Sequence, residues 1–273
     1  MSRIEAKFRN RHGARALVIP FLNAGDPTFE VSLSAFEAAI ANGAEVIEIG
    51  VPYSDPLADG PVIQASALRS LAAGFSLPRA FEVAKALRER TDAALIMFTY
   101  VNPLLQYGLE KFYADAKAVG VDGTIVPDLP SEESKDVLTV ADKHGIDLVP
   151  LLAPTSGRER IATICENARG FVYCVSSLGV TGERAKMSDR LREMVSVCRE
   201  HTDLPIGVGF GVRGPEQAND IASFADGVIV GSAYVRRVEA AIEKAAQTEA
   251  NGLSSSVTEA VGQFTRELVQ AVQ

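Results

Sequence analysis

Residues 16–50 read ALVIPFLNAGDPTFEVSLSAFEAAIANGAEVIEIG, and the order of patterns within them decides the fold. The run at 16–21 is apolar and β-branched without strict alternation, as in a strand buried on both faces of a parallel sheet. Phe29, Leu33, Phe36 and Ile40 then recur at i, i+4, i+7 and i+11, which is one buried face of a helix. Asp26-Pro27 supplies a cap and a first-turn proline for it. The run VIEIG at 46–50 returns to the strand pattern.

The same alternation continues along the chain. Further strand candidates lie at 94–98, 123–126, 147–152, 170–175, 205–208 and 227–230, which makes eight in all. Helical segments fall at 77–90, 108–118, 131–143, 158–167, 188–200, 214–222 and 234–247. Eight buried parallel strands with intervening helices favour a closed (β/α)8 barrel. An open doubly wound sheet is the alternative, and GxGxxG after the first strand would support it; the loop reads Asn23-Ala24-Gly25-Asp26-Pro27 instead. The 273 residues suit a single barrel domain over 1–273, since such barrels run to about 250 residues. Residues 247–256 form a polar, Ser-rich connector, after which Val257, Val261, Phe264 and Leu268 resume a helical stripe, predicting a closing C-terminal helix. Ile4 and Phe8, four apart, predict a short N-terminal helix covering the bottom of the barrel.

Composition narrows the function. A formal net charge of -8, with no run of five or six basic residues, argues against nucleic acid or an anionic membrane as partner. Cys165, Cys174 and Cys198 are odd in number and lack CxxC spacing, so neither a disulfide framework nor a zinc site is indicated. His12, His144 and His201 form no HxH or HExxH arrangement, and no metal site is expected. The first ten residues carry Arg3, Glu5, Lys7 and Arg9 where a signal peptide needs apolar residues, and no stretch approaches a membrane span. The expected location is the cytoplasm.

In a barrel the active site lies at the C-terminal ends of the strands. Glu48 sits there, in the apolar run Val46-Ile47-Glu48-Ile49-Gly50, where partial desolvation raises a carboxyl pKa and equips it for proton transfer. An ion-paired structural glutamate is the competing reading. The next loop, from Val51 to Pro61, adds Asp55 and Asp59, each either functional or a turn cap. Glycine turns follow the last two strands, Gly207-Val208-Gly209-Phe210-Gly211 and Gly231-Ser232, where barrels often hold a phosphate on backbone N–H groups. The polar stretch from Ser176 to Gly182, with Lys186 and Ser188 beyond, reads either as a lid or as a plain surface loop.

The stretch Gly50-Val51-Pro52-Tyr53-Ser54-Asp55-Pro56-Leu57-Ala58-Asp59-Gly60-Pro61-Val62-Ile63-Gln64, after Glu48, resembles the signature of the tryptophan synthase alpha chain family. Pro20-Phe21, Gly25-Asp26-Pro27, Tyr100, Asn102-Pro103, Pro127-Asp128-Leu129-Pro130, Gly179-Val180-Thr181-Gly182, Gly209-Phe210-Gly211 and Gly231-Ser232 extend the likeness up to about residue 247. The resemblance implies a TIM-barrel lyase that cleaves indole-3-glycerol phosphate to indole and glyceraldehyde 3-phosphate in a retro-aldol reaction. It makes Glu48 and Asp59 the acid/base pair. Phe21, Tyr100 and Phe210 would line the indole pocket, and Tyr173 would sit against Glu48. Thr181 would meet Asp59 when the lid closes, and Gly182, Gly211, Gly231 and Ser232 would contact the phosphate. Asp128 would support the second loop. No cofactor is implied for this chain; pyridoxal phosphate would belong to a beta chain that receives indole, in an αββα tetramer. Some members have an arginine two residues before the glycine of the GVTG motif, where this chain has Ser177-Leu178, so coupling between lid and partner is open to difference. Other phosphosugar barrels and a silent binding subunit are the competing functions; no lysine stands at a strand end for Schiff-base aldolase chemistry, and retention of Glu48 and Asp59 speaks against silence.

Overall fold

Each apolar run forms a parallel strand: β1 (Leu17–Asn23), β2 (Val46–Gly50), β3 (Ala94–Phe98), β4 (Gly123–Ile125), β5 (Asp147–Leu148), β6 (Leu151–Leu152), β7 (Val172–Val175), β8 (Ile206–Gly209) and β9 (Gly227–Val230). The structure is a computed structural model that describes residues 1–175, 184–209, 211–248 and 252–273. Strand order in the sheet is β5-β4-β3-β2-β1-β9-β8-β7-β6. Among the described residues nine strands stand where eight were expected, because the run at 147–152 divides at Val149-Pro150. Proline has no N–H to give to a ladder. The two halves still bond both neighbours: Val149 N donates to Thr124 O at 2.9 Å, and Pro150 O accepts from Tyr173 N at 3.0 Å. The ends of the sheet are therefore two parts of one extended segment, and the sheet closes into a barrel.

Alternation assigns every second residue to the interior. Leu17 and Ile19 of β1, Val46 of β2, Ala94 and Ile96 of β3, and Phe171 and Tyr173 at β7 belong to the interior cluster. The opposite faces pack against the helices, in a second cluster. The expected N-terminal helix is α1 (Arg3–Arg9), and its Ile4 and Phe8 enter the interior cluster from the N-terminal ends of the strands. Phe8 meets the Phe171 ring at 5.5 Å. A Cβ at residue 123 would stand 2.7 Å from Ile4 Cδ1, so glycine there makes room for the plug.

Helix α2 (Phe29–Ala41) follows its predicted stripe, but its cap differs. Thr28 Oγ1, not Asp26, accepts from Val31 N at 3.3 Å. Asp26 is instead drawn inward to a helix the periodicity did not show, α3 (Pro61–Ala72). Helix α4 (Leu77–Arg88) matches expectation; α5 (Val101–Tyr107) is a second unexpected helix and leads into α6 (Leu109–Ala118). Helices α7 (Lys135–His144), α8 (Arg158–Glu166), α9 (Arg184–Arg199) and α10 (Pro215–Ala222) complete the outer ring with α11 (Ser232–Thr248). The polar connector is shorter than expected, because α11 reaches Thr248 and α12 begins at Leu253. Helix α12 (Leu253–Ala271) buries Val257, Val261, Phe264 and Leu268 as read from the stripe. It packs against α2, where Arg266 Nη1 donates to Asn42 Oδ1 at 2.6 Å. Among the described residues no helix is long and apolar enough to cross a membrane.

The plug is removable in principle without touching the opposite end of the barrel. Phe8→Ala is expected to destabilise the fold by roughly 3–5 kcal/mol, the usual result of emptying a buried aromatic site. Urea unfolding of the variant checks this, and a loss below about 1 kcal/mol would show that α1 is dispensable to the barrel.

Candidate active site

Glu48 shares the inward face of β2 with Val46, one layer nearer the C-terminal end. The register sets it beside Phe21 of β1 and Ile96 of β3. Its side chain is 1% exposed, and Oε1 has no hydrogen-bond partner. Burial alone raises its pKa well above the ordinary carboxylate value, since no neighbouring cation offsets the desolvation. The ion-paired alternative is thus not what the described residues provide.

The carboxyl group faces a cavity of about 560 Å³. Phe21, Asp59, Phe98, Tyr173 and Gly231 line it together with Glu48. Phe21 and Phe98 meet edge to face, with centroids 5.3 Å apart, and give the cavity a flat aromatic wall. Gly50 permits this, because a Cβ there would stand 2.6 Å from Phe21 Cζ and 2.5 Å from Asn23 Oδ1. Gly209 gives equal room to Tyr173, whose hydroxyl oxygen would lie 2.9 Å from an added Cβ. Burial raises the Tyr173 pKa, and proximity to Glu48 and Asp59 pushes it further, so this phenol stays protonated.

Asp59 reaches the cavity from the loop after β2. Burial pushes its pKa up to about 6, while a hydrogen bond from Tyr100 works in the opposite direction. The Tyr100 hydroxyl also accepts from Ala58 N at 3.1 Å. Tyr100 is buried, and its hydroxyl ties Asp59 and the backbone at Ala58 together at the second loop. Burial, then Asp59, raises its pKa, so the phenol remains a donor. Asp128 accepts from Val101 N at 2.9 Å. It therefore acts on the second loop indirectly, by holding the residue next to Tyr100. Asp55 stays exposed and accepts from Ser54 Oγ at 2.5 Å, the turn role.

Gly211, Gly231 and Ser232 also line the cavity. Gly211 has φ +51°, a left-handed conformation that glycine adopts without strain. Ser232 begins α11 and lines the cavity together with Ala233, so the N-terminal end of this helix, where backbone N–H groups are free to bind an anion, adjoins the cavity. Thr181, Gly182 and Phe210 lie outside the described residues, as does most of the stretch read as a lid. The sequence reading missed Phe98, although it ends β3 just as Glu48 lies near the end of β2. It also missed Arg213, Arg236 and Arg237, which line the cavity close to the glycine turns. Their signal was basic residues two positions after Gly211 and one turn after Ser232. Among the described residues no group of three or more His, Cys, Asp or Glu is placed to hold a metal ion.

The family model described as tryptophan synthase alpha chain matches residues 8–263. The tryptophan synthase alpha chain of Thermoanaerobacter pseudethanolicus is 46% identical over 239 residues, covering 87% of this chain and 91% of the relative. That of a Picosynechococcus strain is 44% identical over 274 aligned positions, covering 100% of both chains. Among solved structures, tryptophan synthase subunit alpha from Legionella pneumophila superimposes with a TM-score of 0.86 at 33% identity, covering 100% of this chain and 98% of that one. A chain of tryptophan synthase from M. tuberculosis does so with a TM-score of 0.86 at 34% identity, covering 100% and 99%.

The buried carboxyl of Glu48 leaves a mark on stability. The unfolded chain releases this proton near the ordinary value of 4.5, whereas the folded chain keeps it, so stability is fully present below that pH and falls as pH rises toward the folded pKa. Glu48→Gln abolishes this dependence. The variant is expected to melt a few degrees above the parent near pH 8, with the gap closing near pH 4.5. Thermal melts across that range decide it, and a gap that widens toward acid would contradict the buried neutral carboxyl.

Proposed function

The chain belongs to the tryptophan synthase alpha chain family, the lyase component of tryptophan synthase, and from that premise we propose that Glu48 and Asp59 carry the cleavage of indole-3-glycerol phosphate as its acid/base pair. The observation that supports the reading is the buried carboxyl of Glu48, whose Oε1 has no hydrogen-bond partner among the described residues, on a cavity that Asp59 also lines. The two acids differ in the way the reaction needs. Burial without a compensating charge pushes Glu48 toward its protonated form, and Asp59, with a pKa of about 6, is mostly ionised at pH 7.

In this mechanism Glu48 gives its proton to carbon 3 of the indole ring, which breaks aromaticity and places positive charge on the ring N–H. The Asp59 carboxylate stabilises that charge. Glu48, now a carboxylate, takes the proton of the hydroxyl on the adjacent side-chain carbon. The O–H electrons form the aldehyde carbonyl, the carbon–carbon bond breaks, and its electrons restore the indole ring. Glu48 ends protonated, as it began, so the cycle balances without any other proton carrier. Phe21 and Phe98 supply the aromatic wall for the heterocycle, and Tyr173 adds a neutral phenol to the cavity that Glu48 and Asp59 line. Gly211, Gly231 and Ser232 support a phosphate subsite at the start of α11, with Gly182 and Thr181 completing the site from the lid and Phe210 the indole wall, as the family motif implies.

The alpha chain family calls for no cofactor in this reaction; pyridoxal phosphate serves the partner's half. A beta chain that accepts the indole, in an αββα tetramer, is part of this reading. Leu57, 92% exposed on the second loop, and Leu105, 55% exposed on α5, support a partner surface at the catalytic end. Cys165, Cys174 and Cys198 are all free and buried, which supports a reducing, cytoplasmic setting.

Purified chain should release indole from indole-3-glycerol phosphate slowly alone and faster with a beta chain from the same source. Glu48→Gln should lower kcat by on the order of 1000-fold or more while glycerol 3-phosphate binds within about threefold of the parent. Because Asp59 acts as the carboxylate, kcat/KM should rise with pH through about 6 and then level. Asp59→Asn should remove that ascending limb and cost on the order of 100-fold in kcat. Full turnover by Glu48→Gln would overturn the assignment of the proton shuttle.

A further inference from the structure

Helix α3 begins two residues after Asp59, and its buried face consists of Ser66, Ala67 and Ser70. Such a face is too small and polar to seat the helix by apolar burial alone. Directed bonds seat it instead. Asn23 Nδ2 donates to Ser66 Oγ at 3.1 Å and to Ile63 O at 3.3 Å. Ser70 Oγ donates to Ala24 O at 2.6 Å, and Ser66 Oγ donates to Asp26 Oδ2. Arg69 closes the set: its Nε and Nη2 fork onto the two oxygens of buried Asp26 at 2.8 and 2.9 Å. The remaining nitrogen, Nη1, donates to Glu239 Oε1 at 3.2 Å. Glu239 stands on α11, two turns beyond Ser232.

Arg69 thus touches three things at once: the first loop, the helix that starts beside Asp59, and the helix whose N-terminus opens on the glycine side of the cavity. A planar guanidinium in a two-oxygen fork fixes both distance and direction, which a hydrophobic contact does not. Reaction rates respond to placement on this scale, since a displacement of about 1 Å in a reacting group costs on the order of 100-fold.

We propose that Arg69 is a positioning residue, whose tie from Asp26 to Glu239 couples occupancy of the phosphate end of the cavity to the placement of Asp59. This rests on the reading of Asp59 as the catalytic carboxylate and of the start of α11 as the phosphate cradle. When phosphate draws on the first turn of α11, the Glu239–Arg69 bond passes the constraint to α3, and the loop that carries Asp59 settles with it. Asp26 is the anchor of this tie, and Ser66 and Asn23 keep its carboxylate and the helix in register.

Steady-state kinetics of indole release test this with Arg69→Gln, Arg69→Lys, Glu239→Gln, Asp59→Asn and the double variant Arg69→Gln with Asp59→Asn. Arg69→Gln should lower kcat on the order of 100-fold and raise KM, and Arg69→Lys, which keeps the charge but loses the fork, should recover part of that loss. Glu239 has a side chain 39% exposed, so Glu239→Gln should leave the thermal midpoint within about 2 °C while weakening glycerol 3-phosphate binding and lowering kcat by roughly 3–10-fold. This second variant decides the matter should Arg69→Gln fail to fold. If Arg69 acts through Asp59, the double variant should be no slower than Asp59→Asn alone. Multiplicative losses in the double variant, or a lowered thermal midpoint with kcat and KM unchanged in both Arg69→Gln and Glu239→Gln, would overturn the proposal and leave Arg69 a structural residue. Parental turnover in Asp59→Asn would instead overturn the role of Asp59 itself, and the proposal would fall with it.

Discussion

Closure of the sheet at residues 147–152 is the constraint from which the catalytic end follows. Once the two halves of that segment bond β4 and β7, every strand has an interior face with a finite volume to fill. Side chains alternate, so a residue assigned to the interior has no route to water except through the open end. Glu48 is assigned there by its spacing from Val46, and it lies between Phe21 and Ile96 in register. Its carboxyl group must therefore be dry. A dry carboxylate without a cation is strongly disfavoured, and protonation is the response that lowers the energy. The fold itself thus pushes an ordinary acid toward its protonated form.

Asp59 shows the same chemistry under a different constraint. It arrives on a loop, keeps contact with solvent, and receives a hydrogen bond from Tyr100 that favours its ionised form. Burial still raises its pKa, but only to about 6. Two carboxyl groups in one cavity are consequently pushed toward their protonated forms to different degrees, and environment rather than residue type sets the difference. Tyr173 packs against Gly209 and stays neutral, so it lines the same cavity without adding charge.

Much of this was legible in the chain because parallel strands are buried on both faces and read as unbroken apolar runs. The helices with apolar stripes, such as α2 and α12, were legible for the same reason. Helix α3 was not, because Ser66, Ala67 and Ser70 carry no hydrophobic period to detect. Helix α5 is seven residues long and begins where Tyr100, Val101, Asn102 and Pro103 read as a loop. The split at Pro150 needed the partner strands to be visible. Asp26 looked like a helix cap because an aspartate before proline usually is one; its pairing with Arg69, 43 positions later, is invisible without the fold. Within the site, Glu48 and Asp59 could be picked out by position, whereas the bonds of the Tyr100 hydroxyl to Asp59 and Ala58 N are a matter of side-chain packing alone.

The missed helix differs from the recognised ones in what holds it. Helices α2 and α12 meet over apolar surface, which tolerates small shifts at little energetic cost because dispersion and burial are non-directional. Helix α3 is held by an amide, two hydroxyls, a buried carboxylate and a guanidinium, each of which loses most of its value over a few tenths of an ångström. Apolar packing is enough to keep an outer helix on a barrel. With Asp59 read as the catalytic carboxylate, a helix whose first turn follows it has a stricter requirement, and the polar seat meets it. The feature that hid α3 from a hydrophobic pattern is on that reading the same feature that would hold Asp59 in place.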